Sequence, residues 1–202
     1  MSMREKIKEV ATELLIMHGV RGLRFSEIAA RLGITRANVH HHFGTKNKLV
    51  DEVVKDYVQG TLEEIRAVWT EPERSYKARA REMMAFNRRR YAKFNPGPEA
   101  GRPWSLISRM RLEIDQLGDG AREALRSFTT AIEAWIHQAV EAAQAKGELN
   151  ADAPVRDIAV QLIAIVDSAG SITQDCGSFD RLERLYTAHI GIISHAYGAE
   201  EA

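Results

Sequence analysis

The chain has 202 residues, 45% of them apolar, and its 28 Lys and Arg are balanced by 28 Asp and Glu; that is enough apolar material for a packed core and too much for a disordered chain. No apolar run approaches the roughly eighteen residues a membrane span needs, and Met1-Ser2-Met3-Arg4-Glu5-Lys6 lacks the apolar stretch of a signal peptide, so a cytoplasmic protein without a membrane partner is expected. The single cysteine, Cys176, excludes an internal disulfide and has no partner at metal-ligand spacing.

Zero net charge conceals an uneven distribution. Through residue 50 the chain carries nine basic residues (Arg4, Lys6, Lys8, Arg21, Arg24, Arg31, Arg36, Lys46, Lys48) against four acidic ones (Glu5, Glu9, Glu13, Glu27), a balance of +5 that the rest must offset with −5. A basic end on an acidic body suits a module that meets phosphates at one end only.

A first helix is expected from about Arg4 to His18, with Ile7, Val10, Ala11, Leu14 and Leu15 inward and Gly19 at its end. The stretch Phe25-Ser26-Glu27-Ile28-Ala29-Ala30-Arg31-Leu32-Gly33-Ile34-Thr35-Arg36-Ala37-Asn38-Val39-His40-His41-His42-Phe43 spells two short helices around a glycine turn. Ile28, Ala29 and Leu32 share one helical face, and Gly33 falls where a helix end takes a left-handed residue. Thr35 can cap the following helix, whose Val39 and Phe43 repeat a four-residue inward stripe. Arg36, Ala37, Asn38, His40 and His41 are left facing outward, and the unit reads as a helix-turn-helix spanning about 26–32 and 36–42. Thr45 then caps a long fourth helix with Lys46 in its first turn and Leu49, Val53 and Tyr57 along its buried side.

The set Ala11-x-x-Leu14-Leu15, His18-Gly19, Ile28-Ala29, Gly33-Ile34-Thr35, Val39-x-x-x-Phe43 and Thr45-Lys46-x-x-Leu49 resembles the DNA-binding domain of the TetR family of bacterial transcriptional regulators over about residues 5–50. The resemblance implies an all-α protein of about nine helices. Its N-terminal three-helix DNA-binding domain with the helix-turn-helix would occupy residues 1–48, and a helical-bundle ligand-binding and dimerisation domain would occupy 49–202.

Beyond helix four, Glu71-Pro72-Glu73 breaks the pattern and a helix reaching Phe94 follows. Asn95–Pro103 reads as a loop, since its three prolines and two glycines sustain neither helix nor strand. Helices are then expected over Trp104 to about Gln116, Asp119 to Lys146, Pro154 to about Gln174 and Phe179 to about Tyr197. The last two are broadly apolar, through Ile158, Leu162, Ile165, Val166, Ala169 and Ile172 on one and Leu182, Leu185, Tyr186, Ile190, Ile193 and Ala196 on the other. In the family such a pair forms a four-helix bundle with its twin, so a homodimer through the last two helices is expected, the small residues Ala169, Gly170 and Gly191 permitting close approach.

Bases specify sequence while phosphate contacts set register, so the outward residues sort by chemistry. Arg36 suits guanine and Asn38 adenine, each by a bidentate pair worth about 1–3 kcal/mol of discrimination, and Ala37 suits a thymine methyl. Thr35, Arg24 and Lys46 suit phosphates, Lys46 with help from the helix end beside it. His40, His41 and His42 do not form a metal site, because consecutive helical residues point about 100° apart. By position they match DNA-facing residues of the family, where tyrosines are usual at His40 and His42, and they imply that binding tightens as pH falls through the histidine range. Arg24 stands where the family often has a hydroxyl residue that caps helix two.

The expected DNA contacts are thus Arg36, Ala37, Asn38, His40 and His41 toward the bases and Arg24, Thr35, His42 and Lys46 as anchors, with a double-stranded, palindromic operator as partner. Where the family places its effector site, Met83, Phe86, Tyr91, Trp104, Ile107, Met110, Phe128 and Trp135 can line an apolar pocket for a small molecule; the same residues can equally be solid core. The Arg88-Arg89-Arg90 run reads as a solvated face. No nucleophile motif, phosphate-binding glycine loop or paired carboxylates point to catalysis, and no cofactor is implied. The expected function is a repressor released from DNA by a small molecule; the alternative is a helix-turn-helix regulator without small-molecule control.

Overall fold

A computed structural model describes residues 1–97 and 101–198, which hold nine α-helices and one 3-10 turn. The helices are α1 (Met3–Gly22), α2 (Phe25–Leu32), α3 (Arg36–Phe43), α4 (Lys46–Thr70), α5 (Tyr76–Phe94), α6 (Leu106–Leu112), α7 (Asp119–Ala145), α8 (Val155–Cys176) and α9 (Asp180–Tyr197), with the 3-10 turn at Ile114–Gln116. Pro98, Glu99 and Ala100 of the expected loop lie outside the described residues. Two compact units result, Met1–Thr61 with Pro103–Phe128 and Leu62–Arg102 with Thr129–Ala202. The first unit thus contains α6 and the start of α7 as well as the N-terminal helices.

In the first unit, α1 opens on a capping box: the Glu5 amide donates to the Ser2 hydroxyl at 3.2 Å and the Ser2 amide donates to the Glu5 carboxylate at 2.6 Å. Ile7, Ala11, Leu14, Leu15 and Ile16 form its buried side, while Val10 is half-buried. Gly19 does not end this helix as expected. It breaks it, at φ 68° and ψ −174°, and the chain makes one more turn to Gly22. The Glu113 carboxylate fills the break, accepting the Val20 N–H at 2.7 Å and lying 1.9 Å from where a Cβ on Gly19 would stand. Both the dihedral and the space demand glycine.

Gly33 ends α2 in the left-handed conformation, and the Ile34 amide donates back to the Ala29 carbonyl at 3.0 Å. Thr35 caps α3 by accepting the Asn38 N–H at 3.2 Å, and Thr45 caps α4 by accepting the Lys48 N–H at 3.2 Å. Ile28, Val39, Phe43, Leu49 and Val53 close the core beneath this pair. The single helix expected over Trp104 to Gln116 is shorter than that. Ser105 accepts the Ser108 N–H and so starts α6 after Trp104, and at Glu113 the backbone leaves helical geometry. Arg122 binds the carbonyls of Ile114 and Asp115, which holds the tighter turn that follows.

In the second unit α8 packs along α9, and α5 packs on α9. Ile158, Ala159, Leu162, Val166 and Ala169 meet an interior shared with Leu182, Tyr186, Ile190 and Ile193. Two buried polar pairs join α5 to α9: the Tyr76 hydroxyl with His189 Nε2, and Asn87 Nδ2 donating to the Tyr186 hydroxyl at 3.0 Å. Burial raises both phenols well above the ordinary tyrosine value and lowers that of His189. Arg79, also buried, donates to the carbonyls of Trp69, Glu71 and Arg74 and so satisfies the end of α4. Ala169 and Gly170 turn into this unit's own core. Of the three small residues expected to admit a twin, Gly191 alone is exposed.

Candidate nucleic-acid interface

The α3 helix is held by two buried side chains, Val39 and Phe43, and everything else on its outer face is free to meet a partner. Thr35, Arg36, Ala37, Asn38, His40 and His41 are exposed, as is Arg24, while His42 and Lys46 are half-buried. The Thr35 hydroxyl also donates to Asn38 Oδ1 at 2.9 Å, so the carboxamide is oriented from its own N-cap. The His40 ring meets Phe25 edge-on at 6.4 Å between centroids, and His41 and His42 lie 5.8 Å apart. Among the described residues no three His, Cys, Asp or Glu side chains converge as a cation site.

Beside the outer face of α3 opens a cleft of about 400 Å³ lined by Leu23, Arg24, Phe25, Ser26, Arg36, His40, Gly44 and Lys46. Sequence reasoning had separated these residues by role. The structure brings Arg24, Arg36, His40 and Lys46 together. Burial is the main cause that holds the Lys46 ammonium below the usual lysine value, the nearby Arg24 guanidinium adds to it, and Glu113 opposes both. Arg31, by contrast, is occupied by Glu27 at 3.1 Å and Glu13 at 3.6 Å.

Three residues that support this unit were not singled out from the sequence. Arg4 donates to the His42 carbonyl at 2.7 Å, lies 4.3 Å over the Phe43 ring and pairs with Glu52, tying the C-terminal end of α3 to α1 and α4. Lys8 repeats the α1–α4 link one turn on, with Asp56. Glu113 pairs with Arg109 at 2.9 Å while filling the break in α1. Nothing local in the sequence connects Arg4 with Glu52 or Glu113 with Gly19, because each pairing spans dozens of residues.

The residues expected around an effector divide between the units. Met83, Phe86 and Tyr91 are buried in the second unit and Trp135 there is half-buried, whereas Trp104, Ile107, Met110 and Phe128 are buried in the first. Arg88 and Arg89 are exposed and pair with Glu183 and Glu82, in keeping with a solvated run, whereas Arg90 is half-buried over the Phe86 ring and pairs with Glu64.

An all-helical chain whose capped, outward-facing second reader helix carries arginine, asparagine and histidine beside a cationic cleft is a helix-turn-helix DNA-binding protein by class. Residues 7–53 match the family model for bacterial regulatory proteins of the tetR family, and residues 106–189 match that of the tetracyclin repressor-like C-terminal domain. The chain belongs to the TetR family of bacterial transcriptional regulators, which are DNA-binding proteins and not enzymes.

Solved structures share the fold across almost the whole chain. A TetR-family regulator from Agrobacterium tumefaciens has a TM-score of 0.80 at 21% identity, covering 94% of this chain and 96% of its own. The reduced form of Escherichia coli NemR has a TM-score of 0.75 at 18% identity, with 100% of both chains covered. A transcriptional regulator from Saccharomonospora viridis, solved in complex with choline, has a TM-score of 0.71 at 20% identity and covers 98% of each chain. No curated protein matches the chain. Among the described residues no helix is long and apolar enough to cross a membrane.

Proposed function

We propose that this DNA-binding regulator acts as a homodimeric repressor on a palindromic operator and is released from it by a small molecule. The observation that carries the DNA half is the free face of α3: Arg36, Ala37, Asn38, His40 and His41 are all exposed while the helix is anchored by Val39 and Phe43. Asn38 and Ala37 are the readers at the tip, and Arg24, Thr35, His42 and Lys46 fix register on the backbone.

The dimer half rests on apolar side chains left outside the core of the second unit. Val160 is 58% exposed on α8 and Ile192 is 64% exposed on α9, one heptad beyond Leu185 and one residue from the open Gly191. Such a stripe at helical spacing suits a second copy of the same pair, and a twofold dimer matches a twofold operator. Ile192→Asp is expected to yield monomers by sedimentation with helical content intact; a dimer that survives it would place the interface elsewhere.

Effector control would work by linkage, with coupling of about 1–3 kcal/mol weakening operator binding 5- to 150-fold. The helices α4 and α7 each continue from one unit into the other, which gives such coupling a covalent route. A regulator of this fold solved in complex with choline supports the reading that a small molecule is bound. The second reading, regulation without a small molecule, draws support from the burial of seven of the eight expected lining residues.

The test is selection of bound fragments from randomised duplex DNA with the intact protein. A twofold-symmetric site is expected, and Asn38→Ala is expected to relax selectivity at one base pair of each half-site by about 1–3 kcal/mol. Enrichment of no sequence by a folded, dimeric protein would overturn the reading.

A further inference from the structure

The cleft beside α3 gathers positive charge with no carboxylate among its lining residues, and the nearby Glu113, which acts on Lys46, is already engaged by Arg109 and the Val20 amide. Arg24, Arg36 and Lys46 line it together, and none of the three makes a side-chain hydrogen bond or ion pair among the described residues. The start of α2 adds to the same sign: Arg24 is its N-cap, no side chain caps its first turn, and Ser26 of that turn also lines the cleft. Arg4, Lys8 and Arg31 of the same unit are paired, with Glu52, Asp56 and Glu27, so what sets Arg24, Arg36 and Lys46 apart from them is that they share one cleft without an ion pair. Lys46 is held below its usual value by burial and by Arg24, the condition an arriving negative charge relieves.

Shape separates the two possible kinds of DNA contact. Base edges lie at the floor of the major groove and are reached by exposed side chains that stand outside the cleft, as Ala37, Asn38 and His41 do. Phosphates stand out from the ridges of the duplex and fit a concave, cationic site. A neutral base edge would leave the mutual repulsion of the three clustered cations unrelieved, whereas a phosphate offsets part of it.

We propose that this cleft is a socket for a single backbone phosphate of the operator, and that Arg36 and His40 are phosphate ligands in it with Arg24 and Lys46, not base readers. The proposal rests on the DNA-binding reading above and changes its division of labour: sequence is read by Ala37, Asn38 and His41, and Arg36 contributes affinity without specificity.

The experiment measures the affinity of wild type, Arg36→Ala, Arg36→Gln and Asn38→Ala for the selected operator, for single-base variants of it and for random duplex, across a range of KCl. Arg36→Ala and Arg36→Gln are expected to weaken binding to all duplexes by the same factor and to lower the slope of log K against log [salt] by about 1, leaving the operator-to-random ratio unchanged. Asn38→Ala is expected to collapse that ratio at one position with the slope intact. A methylphosphonate placed at the phosphate facing the cleft should weaken wild type by a larger factor than Arg36→Ala, in which Arg24 and Lys46 alone still lose their charge partner. Loss of selectivity at one base pair in both Arg36 variants, with the salt slope unchanged, would overturn the socket while leaving the DNA-binding reading standing. Absence of any salt-dependent duplex binding by the folded wild type would overturn both. Arg36 is exposed, so its variants are expected to keep the wild-type melting temperature, which checks that the fold is intact.

Discussion

Arg4 shows how the exposed face of α3 can be held in place by a residue from another helix. Its guanidinium meets three groups on two other helices at once: the His42 carbonyl and the Phe43 ring at the end of α3, and Glu52 on α4. A cation at a helix C-terminus is favourable in itself, and a planar donor fork stacked on an aromatic ring does what an ammonium does less well. Arg4→Met keeps the apolar stem and removes the fork. It is expected to cost about 1 kcal/mol of operator affinity, roughly fivefold, while random-duplex affinity changes little. Arg4→Lys should recover only part of the loss. Fluorescence anisotropy on both duplexes checks this, and equal losses on the two would show that Arg4 acts only through overall stability or charge.

Among the helices, the break in α1 is the feature that local pattern reading describes least well. Gly19 in the sequence looks like a helix stop, yet the chain turns on through Val20 because a carboxylate from Glu113 receives the amide that the break exposes. The same side chain is fixed by Arg109, so the end of α1 and the end of α6 are one joint. Gly19→Ala places a methyl group where the Glu113 carboxylate stands and forces a side chain into φ 68°. A destabilisation of about 1–3 kcal/mol is expected, or roughly 2–4 °C in Tm for each kcal/mol. A thermal melt measures it; an unchanged Tm would mean that Glu113 can leave the joint without cost.

At the scale of the whole molecule, stability should depend on pH through His189. Burial keeps its pKa below the ordinary value, so above about pH 6.5 the imidazole is neutral in both folded and unfolded chains and costs nothing. As pH falls below that, the unfolded chain takes up a proton that the folded chain resists, and stability declines. Wild type is therefore expected to lose more Tm between pH 7.5 and 5 than His189→Gln, which keeps a hydrogen-bonding group beside Tyr76 without the titration. Parallel Tm profiles for the two proteins would contradict this assignment. Tyr76 and Tyr186 add no such dependence in this range, since burial moves both phenols further above neutrality.

The sequence by itself determined the reader unit, because its signals are local: Gly33 for a left-handed turn, Thr35 and Thr45 for caps, and a four-residue stripe through Val39 and Phe43 are each expressed within one or two turns of helix. The outward set Arg36, Ala37, Asn38, His40 and His41 was legible for the same reason, since helical spacing fixes which side chains cannot be inside. Tertiary structure alone decided what those side chains stand next to. Arg36 joins Arg24 and Lys46 in one cleft, Glu113 reaches Gly19, and Arg4 reaches Glu52, across separations that no periodicity records. The apolar residues of the regulatory half were the least legible, since a helix codes the same inward stripe for pocket and core. The three-dimensional packing that assigns Trp104 and Phe128 to one unit and Met83 and Tyr91 to the other is a property of the assembled helices, not of any one of them.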